Sequence, residues 1–346
     1  MLDSGIASSR AIGVEPIETL YDTQPRFAFD NEGIIESTWN GFKFLEPREI
    51  KYASNGVFGV SLVEQYDTED TLGVLVTDSV FSLHLVYNEA EDLYELDLSK
   101  LEGYKSLEGY AKMGGKAQFQ LRYDERLQAK RLHTTRLEYF NEVYTETDFD
   151  DLNVRAAYQQ SYLTGWRFAE KAIIASMMSL TNLVVHVKDL HLEIAATFQA
   201  VAVDSFANAV THPVSRLLQP FIHRSIQATN DNFKLLFDYK ASEFSLAPLP
   251  NDEQMRLIGD FIKNEPLKLS DLAMENFAKK RNMPEEATGE NGFWRWHHRA
   301  STIESHYAAM IECFLDENYP TEQDLVQDST LQQYWANMFK YTPALK

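Results

Sequence analysis

The spacing of apolar residues changes character near residue 150. Before it, apolar positions fall in short β-branched and aromatic runs. Leu72–Val76 and Val80–Tyr87 predict strands, Asn88–Asp92 predicts a hairpin loop before Leu93, and the alternation of Gln118–Tyr123 predicts a further strand. Residues 1–50 are mixed, with Pro16, Pro25 and Pro47 interrupting any long element. After residue 150 the period becomes helical. From Gly165 to Phe198 no Gly or Pro follows Gly165, which predicts one long, largely buried helix, its apolar face continuing through Val201 toward Val210. His212-Pro213 stops or restarts that helix, because proline disfavours helical geometry in the residue before it. Residues 245–252 and 283–292 predict loops, Asp252–Phe261 a capped helix, and Phe293–Phe314 a long aromatic-rich helix ended by Tyr319-Pro320. Thr321–Asp324 is placed to cap the next helix, and Trp335 lies near the last apolar face. The expected architecture is mainly α with a smaller β-containing N-terminal region, divided as residues 1–125 and 126–346.

Within the long helix lie two histidines five residues apart, His186 and His191. Imidazoles on a buried helix need partners, since an unpaired polar group in an apolar core costs roughly 1–3 kcal/mol. A transition metal is one such partner and a satisfied structural histidine is the other. In an α-helix, residues five apart point about 140° away from each other. The pair converges only if the helix widens into a π-type turn, a form that tends to mark functional sites.

Composition narrows the picture. The 346 residues carry 52 acidic and 32 basic side chains, a formal net charge of −20. That balance opposes nucleic-acid binding, which needs a basic surface, and electrostatic docking on anionic membranes. The uninterrupted apolar runs are a few residues each, so no transmembrane segment is expected. The N-terminus lacks the basic and apolar regions of a secretory signal, and Cys313 is the single cysteine, which suits a reducing, cytoplasmic location. No phosphate-binding glycine loop, dinucleotide fingerprint, HExxH, CxxC or GxSxG pattern occurs, and no internal repeat.

Over roughly residues 115–340 the chain resembles lipoxygenases, through motifs in the same order. Trp166, Ala169, His186 and His191 resemble the family's metal-binding helix; His212-Pro213-Val214-Ser215-Arg216-Leu217-Leu218-Gln219-Pro220 is similar to its His-Pro-x-x-Lys-Leu-Leu-x-Pro segment. Asn230, Tyr319-Pro320-Thr321, Asp328 and Leu331-Gln332 with Trp335 also fall near family positions. The resemblance implies a lipoxygenase-type helical catalytic domain, with His186 and His191 as ligands of non-haem iron, or of manganese instead. Asn182, where plant members often have Gln, becomes a candidate to support the ligands by hydrogen bonding. Departures are present too. Glu170 stands where the family has Lys, the stretch between His191 and His212 is longer, and the family's N-terminal lipid-binding β-sandwich is not recognisable.

The implied reaction is that of an oxidoreductase, a dioxygenase of lipid metabolism. A hydrogen atom leaves a bis-allylic carbon of a polyunsaturated fatty acid or ester, and O2 traps the pentadienyl radical as a hydroperoxide. Apolar lining favours such a chain by roughly 0.8 kcal/mol per buried CH2. Leu190, Phe198, Leu217 and Leu218 are candidate lining residues, with core packing as their other role. On the family pattern a third histidine, an Asn or His ligand and a terminal carboxylate follow the segment matching Leu331–Trp335. The expectation is therefore a piece of a split or larger enzyme whose further ligands come from a second chain, or a site completed from His212, His223, His297, His298, His306, Asp189, Asp204 or Glu193. The alternative is a non-catalytic, lipoxygenase-like lipid- or partner-binding scaffold.

Overall fold

The structure is a computed structural model that describes residues 70–146, 165–222, 248–289 and 292–341, apart from positions 108–109, 126–127 and 210. The first described element is a helix, α1 (Thr71–Asp78), where the sequence predicts a strand. Asp70 decides this locally. Its carboxylate accepts the Gly73 N–H at 2.8 Å as an N-cap, and it also takes the Thr134 backbone and hydroxyl donors. The second predicted strand is mostly a 3-10 turn, Val80–His84, capped by the Ser79 hydroxyl on Phe81 N–H. Only its end pairs, as β1 (Val86–Asn88) with β2 (Leu93–Asp97), so the Asn88–Asp92 hairpin is present.

Three longer strands complete an antiparallel meander, β3 (Lys116–Asp124), β4 (Ala129–Tyr139) and β5 (Glu142–Thr145), in the order β1-β2-β3-β4-β5. The predicted Gln118–Tyr123 strand is β3. β3 ends at Asp124 and its hairpin partner β4 begins at Ala129, so one sheet takes in both sides of the division at residue 125. The inner sheet face buries Ala117, Phe119, Leu132, Leu137 and Tyr139.

Against that face lies the long helix. It runs as α2 (Gly165–Leu180), a π segment (Thr181–Ala195) and α3 (Ala196–Phe206). Trp166, Ala169, Ile173 and Met177 turn toward the sheet. Gly115, at φ +103°, lets the backbone pass so close that a Cβ would meet Ile173 at 2.8 Å. Glu170 is 1% exposed and accepts the Leu72 N–H at 3.2 Å, so this departure from the family's Lys places a carboxylate at the start of α1. Phe168–Phe206 forms a 39-residue helix that is, by length and composition, apolar enough to cross a membrane. This corrects the expectation drawn from short apolar runs; 61% of its most apolar window is buried inside the fold.

The remaining described α-helices are α4 (Pro213–Ile222), α5 (Asn251–Asn264), α6 (Met274–Lys280), α7 (Glu285–Thr288), α8 (Arg295–Asn318), α9 (Glu322–Gln327) and α10 (Ser329–Tyr341). Leu257, Ile258 and Phe261 of α5 join the main core beside Leu183, Val184 and Val187 of the π segment. A second apolar cluster unites Val201, Ala202 and Phe206 with Val214, Tyr319, Tyr334 and Met338. The molecule is thus mainly helical with a small antiparallel sheet near its N-terminal side.

Candidate metal site on the π segment

The π segment begins where hydroxyl groups compete for backbone carbonyls. Ser176, Ser179 and Thr181 donate to the carbonyls of Ala172, Ala175 and Met177, each four residues back. Such back-bonding loosens the α ladder. Beyond Thr181 the ladder is i→i+5, and the Ala196 N–H closes it on His191 O. In this wider coil, residues five apart fall on one side of the helix rather than pointing away from each other.

Three side-chain links follow that spacing. His186 Nε2 and His191 Nε2 lie 3.1 Å apart, with ring centroids 4.8 Å apart. Lys188 Nζ reaches Glu193 Oε2 at 2.9 Å and Asp189 Oδ1 at 2.5 Å. The Thr197 hydroxyl donates to Leu192 O at 3.3 Å. The Lys188 ammonium is 1% exposed, and Glu193 Oε2 also accepts the Leu267 N–H at 3.1 Å. A buried charge needs such opposite partners, and only the π coil brings Glu193 to Lys188. The ion cluster therefore selects the geometry that brings the two imidazoles together.

The histidines do not sit in an apolar core. His186 is exposed and His191 half-buried, which corrects the reading of two deeply buried imidazoles. The turn of the π coil explains it: Val184, Val187 and Lys188 take the buried side and the histidine pair the outer one. Partial burial, with the neighbouring His191 as the smaller cause, pushes the His186 pKa down and favours the neutral ring. A neutral imidazole offers one lone pair, the form that binds a cation. Imidazole nitrogens bind zinc at about 2.0–2.1 Å, and two such bonds at right angles set the nitrogens about 3 Å apart. The pair therefore fits two adjacent positions around one first-row cation.

Most of the other candidate donors are engaged elsewhere. His212 Nε2 donates to Asp328 Oδ2 at 2.8 Å, and its Nδ1 accepts the Val214 N–H at 3.2 Å, so the ring proton sits on Nε2. Asp189 and Glu193 hold Lys188, Asp204 accepts from Asn337, and His297 bonds Met274 O while stacked on Trp294. His223 and Asn230 lie outside the described residues. Among the described residues no group of three or more His, Cys, Asp or Glu side chains is placed to hold a metal. Asn182 is half-buried on the same coil. Leu190, next to His191, is 47% exposed, whereas Phe198 and Leu218 pack against the second cluster and Leu217 is half-buried beside them.

A feature the sequence reading did not find is the junction that assembles its scattered motifs. Asp328 Oδ2 accepts from both His212 and the Tyr319 hydroxyl, each at 2.8 Å, and its Oδ1 accepts the Leu331 N–H at 2.9 Å. Burial works to raise the Asp328 pKa, but those donors outweigh it and hold the carboxyl below its ordinary range. One carboxylate thus joins His212-Pro213, Tyr319-Pro320 and Leu331-Gln332, which stand apart along the chain.

No protein-family model matches this sequence, and no curated protein does. Among solved structures the chain is similar to a manganese lipoxygenase, with TM-score 0.55 and 16% identity, over 82% of this chain and 45% of that one. It is also similar to manganese lipoxygenase of Gaeumannomyces graminis, solved with part of zonadhesin of Komagataella pastoris. There the TM-score is 0.62 and the identity 13%, over 99% of this chain and 61% of that one. The fold is lipoxygenase-like, and the chain spans between about half and three fifths of those proteins' length.

Proposed function

We propose that His186 and His191 hold a non-haem iron or manganese ion, and that the chain contributes this half-site to a lipoxygenase-type dioxygenase. The substrates of that reaction are O2 and a polyunsaturated fatty acid or ester. The observation that carries the reading is the 3.1 Å approach of the two Nε2 atoms on a π coil. When bound with a full set of ligands, such a metal supplies the one-electron chemistry that removes a hydrogen atom from a bis-allylic carbon. This chain's residues have simpler tasks. His186 and His191 present two lone pairs at adjacent positions. The Lys188–Glu193 pair keeps the coil in register, and Asn182 supports the ligands through hydrogen bonding. Leu190, Phe198, Leu217 and Leu218 give an acyl chain apolar contact. The reading requires further donors beyond this pair, as a companion chain would supply. The division at residue 125 is one of sequence character in this reading, and the single cysteine accords with a reducing cytoplasm.

The test is metal content by plasma mass spectrometry after loading with manganese or iron, beside oxygen uptake with linoleate. The expected outcome is one metal per chain, lost in the His186→Ala/His191→Ala variant, with any oxygen uptake lost alongside it. Equal metal in both proteins would sink the assignment. A second reading, a lipoxygenase-like scaffold without catalysis, draws on the absence of a third clustered donor among the described residues. It predicts no metal in either protein.

A further inference from the structure

Among the described residues helix α8 is packed at its two ends and sparsely covered between them. His297 is buried near its start, and Phe314 and Leu315 pack against the second cluster near its end. All residues from Thr302 to Cys313 are exposed. Among the described residues these three turns have little of the tertiary packing that normally stabilises a helix in a folded protein, beyond Glu304, which accepts the Met274 N–H at 3.1 Å, and the contact of Tyr307 with Phe221.

The bare turns are not polar all round. Ile303, Tyr307 and Met310 are 57%, 48% and 41% exposed, and with half-buried Phe314 they lie within about 60° of one another around the helix. Phe221 of α4 stands edge-on to Tyr307 at 5.8 Å, is itself 53% exposed, and widens the stripe. Spacings of four, three and four are those of a helix-pairing seam. They also read the same in both directions, so the stripe is complementary to itself when turned end for end.

Charge follows the same symmetry. Arg295, His298 and Arg299 fall in the first part of α8, and Glu312, Asp316 and Glu317 in the last. Arg299 and Glu317 lie on the same flank of the stripe, at nearly equal distances either side of its centre. In an antiparallel pair of α8 helices, Ile303 of each copy meets Phe314 of the other, Tyr307 meets Met310, and Arg299 faces Glu317 twice. Chains carrying a net charge of −20 repel one another at large, so association needs local complementarity of this kind.

We infer that α8 is a self-association surface, pairing antiparallel with α8 of a second copy of this chain through Ile303, Tyr307, Met310 and Phe314. The inference stands apart from the metal assignment. One helix pair covers less than the roughly 800 Å² per partner of a standard interface, so the dimer is expected to be weak and concentration-dependent. Sedimentation equilibrium of the full chain tests it. The wild type is expected to become dimeric as its concentration rises, and Ile303→Asp/Met310→Asp to be monomeric with an unchanged circular dichroism spectrum. Arg299→Glu should weaken the dimer about tenfold, and adding Glu317→Arg should restore it. A wild type that stays monomeric overturns the proposal and leaves the stripe to a different chain. A dimer indifferent to both Asp substitutions, or not restored by the charge swap, overturns it as well.

Discussion

A neutral imidazole in a dry site makes the fold sensitive to acid, and His84 is the clearest case in this protein. The Thr181 hydroxyl gives its proton to Met177 O, so it can only accept from His84, whose Nε2 lies 2.8 Å away and carries the ring proton. Burial, with Arg281 and Lys100 as lesser causes, pushes the His84 pKa down to about 3. The unfolded chain takes up this proton near the ordinary value of about 6.5, while the folded chain refuses it until about pH 3. Stability from this group is therefore complete above about pH 6.5. It falls by on the order of 1 kcal/mol per unit as the pH drops toward about 3. Urea unfolding of wild type and His84→Gln at pH 7 and pH 5 isolates the effect from the carboxylates. The wild type should lose more stability between the two values than the variant; equal losses would show that His84 does not carry the proton linkage.

The π segment joins sequence pattern to chemistry. Its apolar residues predict a long helix under either an α or a π ladder, so hydrophobic period alone could not choose between them. What chooses is polar. The Lys188–Glu193 pair, the Thr197 bond to Leu192 O and the three hydroxyl back-bonds entering the segment all favour the wider coil. Replacing Lys188 with Met leaves Asp189 and Glu193 facing each other without a cation. Because those carboxylates are about a fifth exposed, the cost should fall at the low end for a broken buried pair, about 3 kcal/mol. Urea unfolding should register the loss, and metal uptake by the histidine pair should fall with it. A Lys188→Met protein as stable as wild type would remove the ion cluster from the account. The helices after residue 210 were legible because proline and capping residues punctuate them. Pro213 opens α4, and Thr321 with Asp324 forms the capping box of α9. Leu72–Val76 and Val80–Tyr87 misled because β-branched residues suit a strand or a buried helix alike. The deciding contacts, Asp70 with Thr134 and Glu170 with Leu72, reach across 64 and 98 residues.

At the scale of the whole molecule, two apolar clusters of unequal size share one continuous helix. The larger is built on the sheet, α2, the π segment and α5; the smaller holds seven buried residues drawn from α3, α4, Tyr319 and α10. Fewer buried contacts mean a lower free energy of local opening, so the smaller cluster should open first. Asp328 is its polar keystone, since it caps α10 through Leu331 N–H and ties that helix to His212 and Tyr319. Its role was not legible in sequence, because its three partners lie 116, 9 and 3 residues away and no spacing rule connects them. Removing the carboxylate strips a helix cap and leaves two partly buried donors without an acceptor, a cost of about 3 kcal/mol. That cost should be local. In Asp328→Ala, amides of Pro213–Ile222 and Ser329–Tyr341 should exchange with deuterium faster than in wild type. Those of Lys116–Asp124 and Ala129–Tyr139 should keep their protection. Uniform acceleration across both sets would mean that the clusters unfold as one unit and that Asp328 supports the entire fold. Acceleration confined to the smaller cluster would place the histidine pair at the edge of the more stable half, where the π coil is anchored by α5 and insulated from openings around α10.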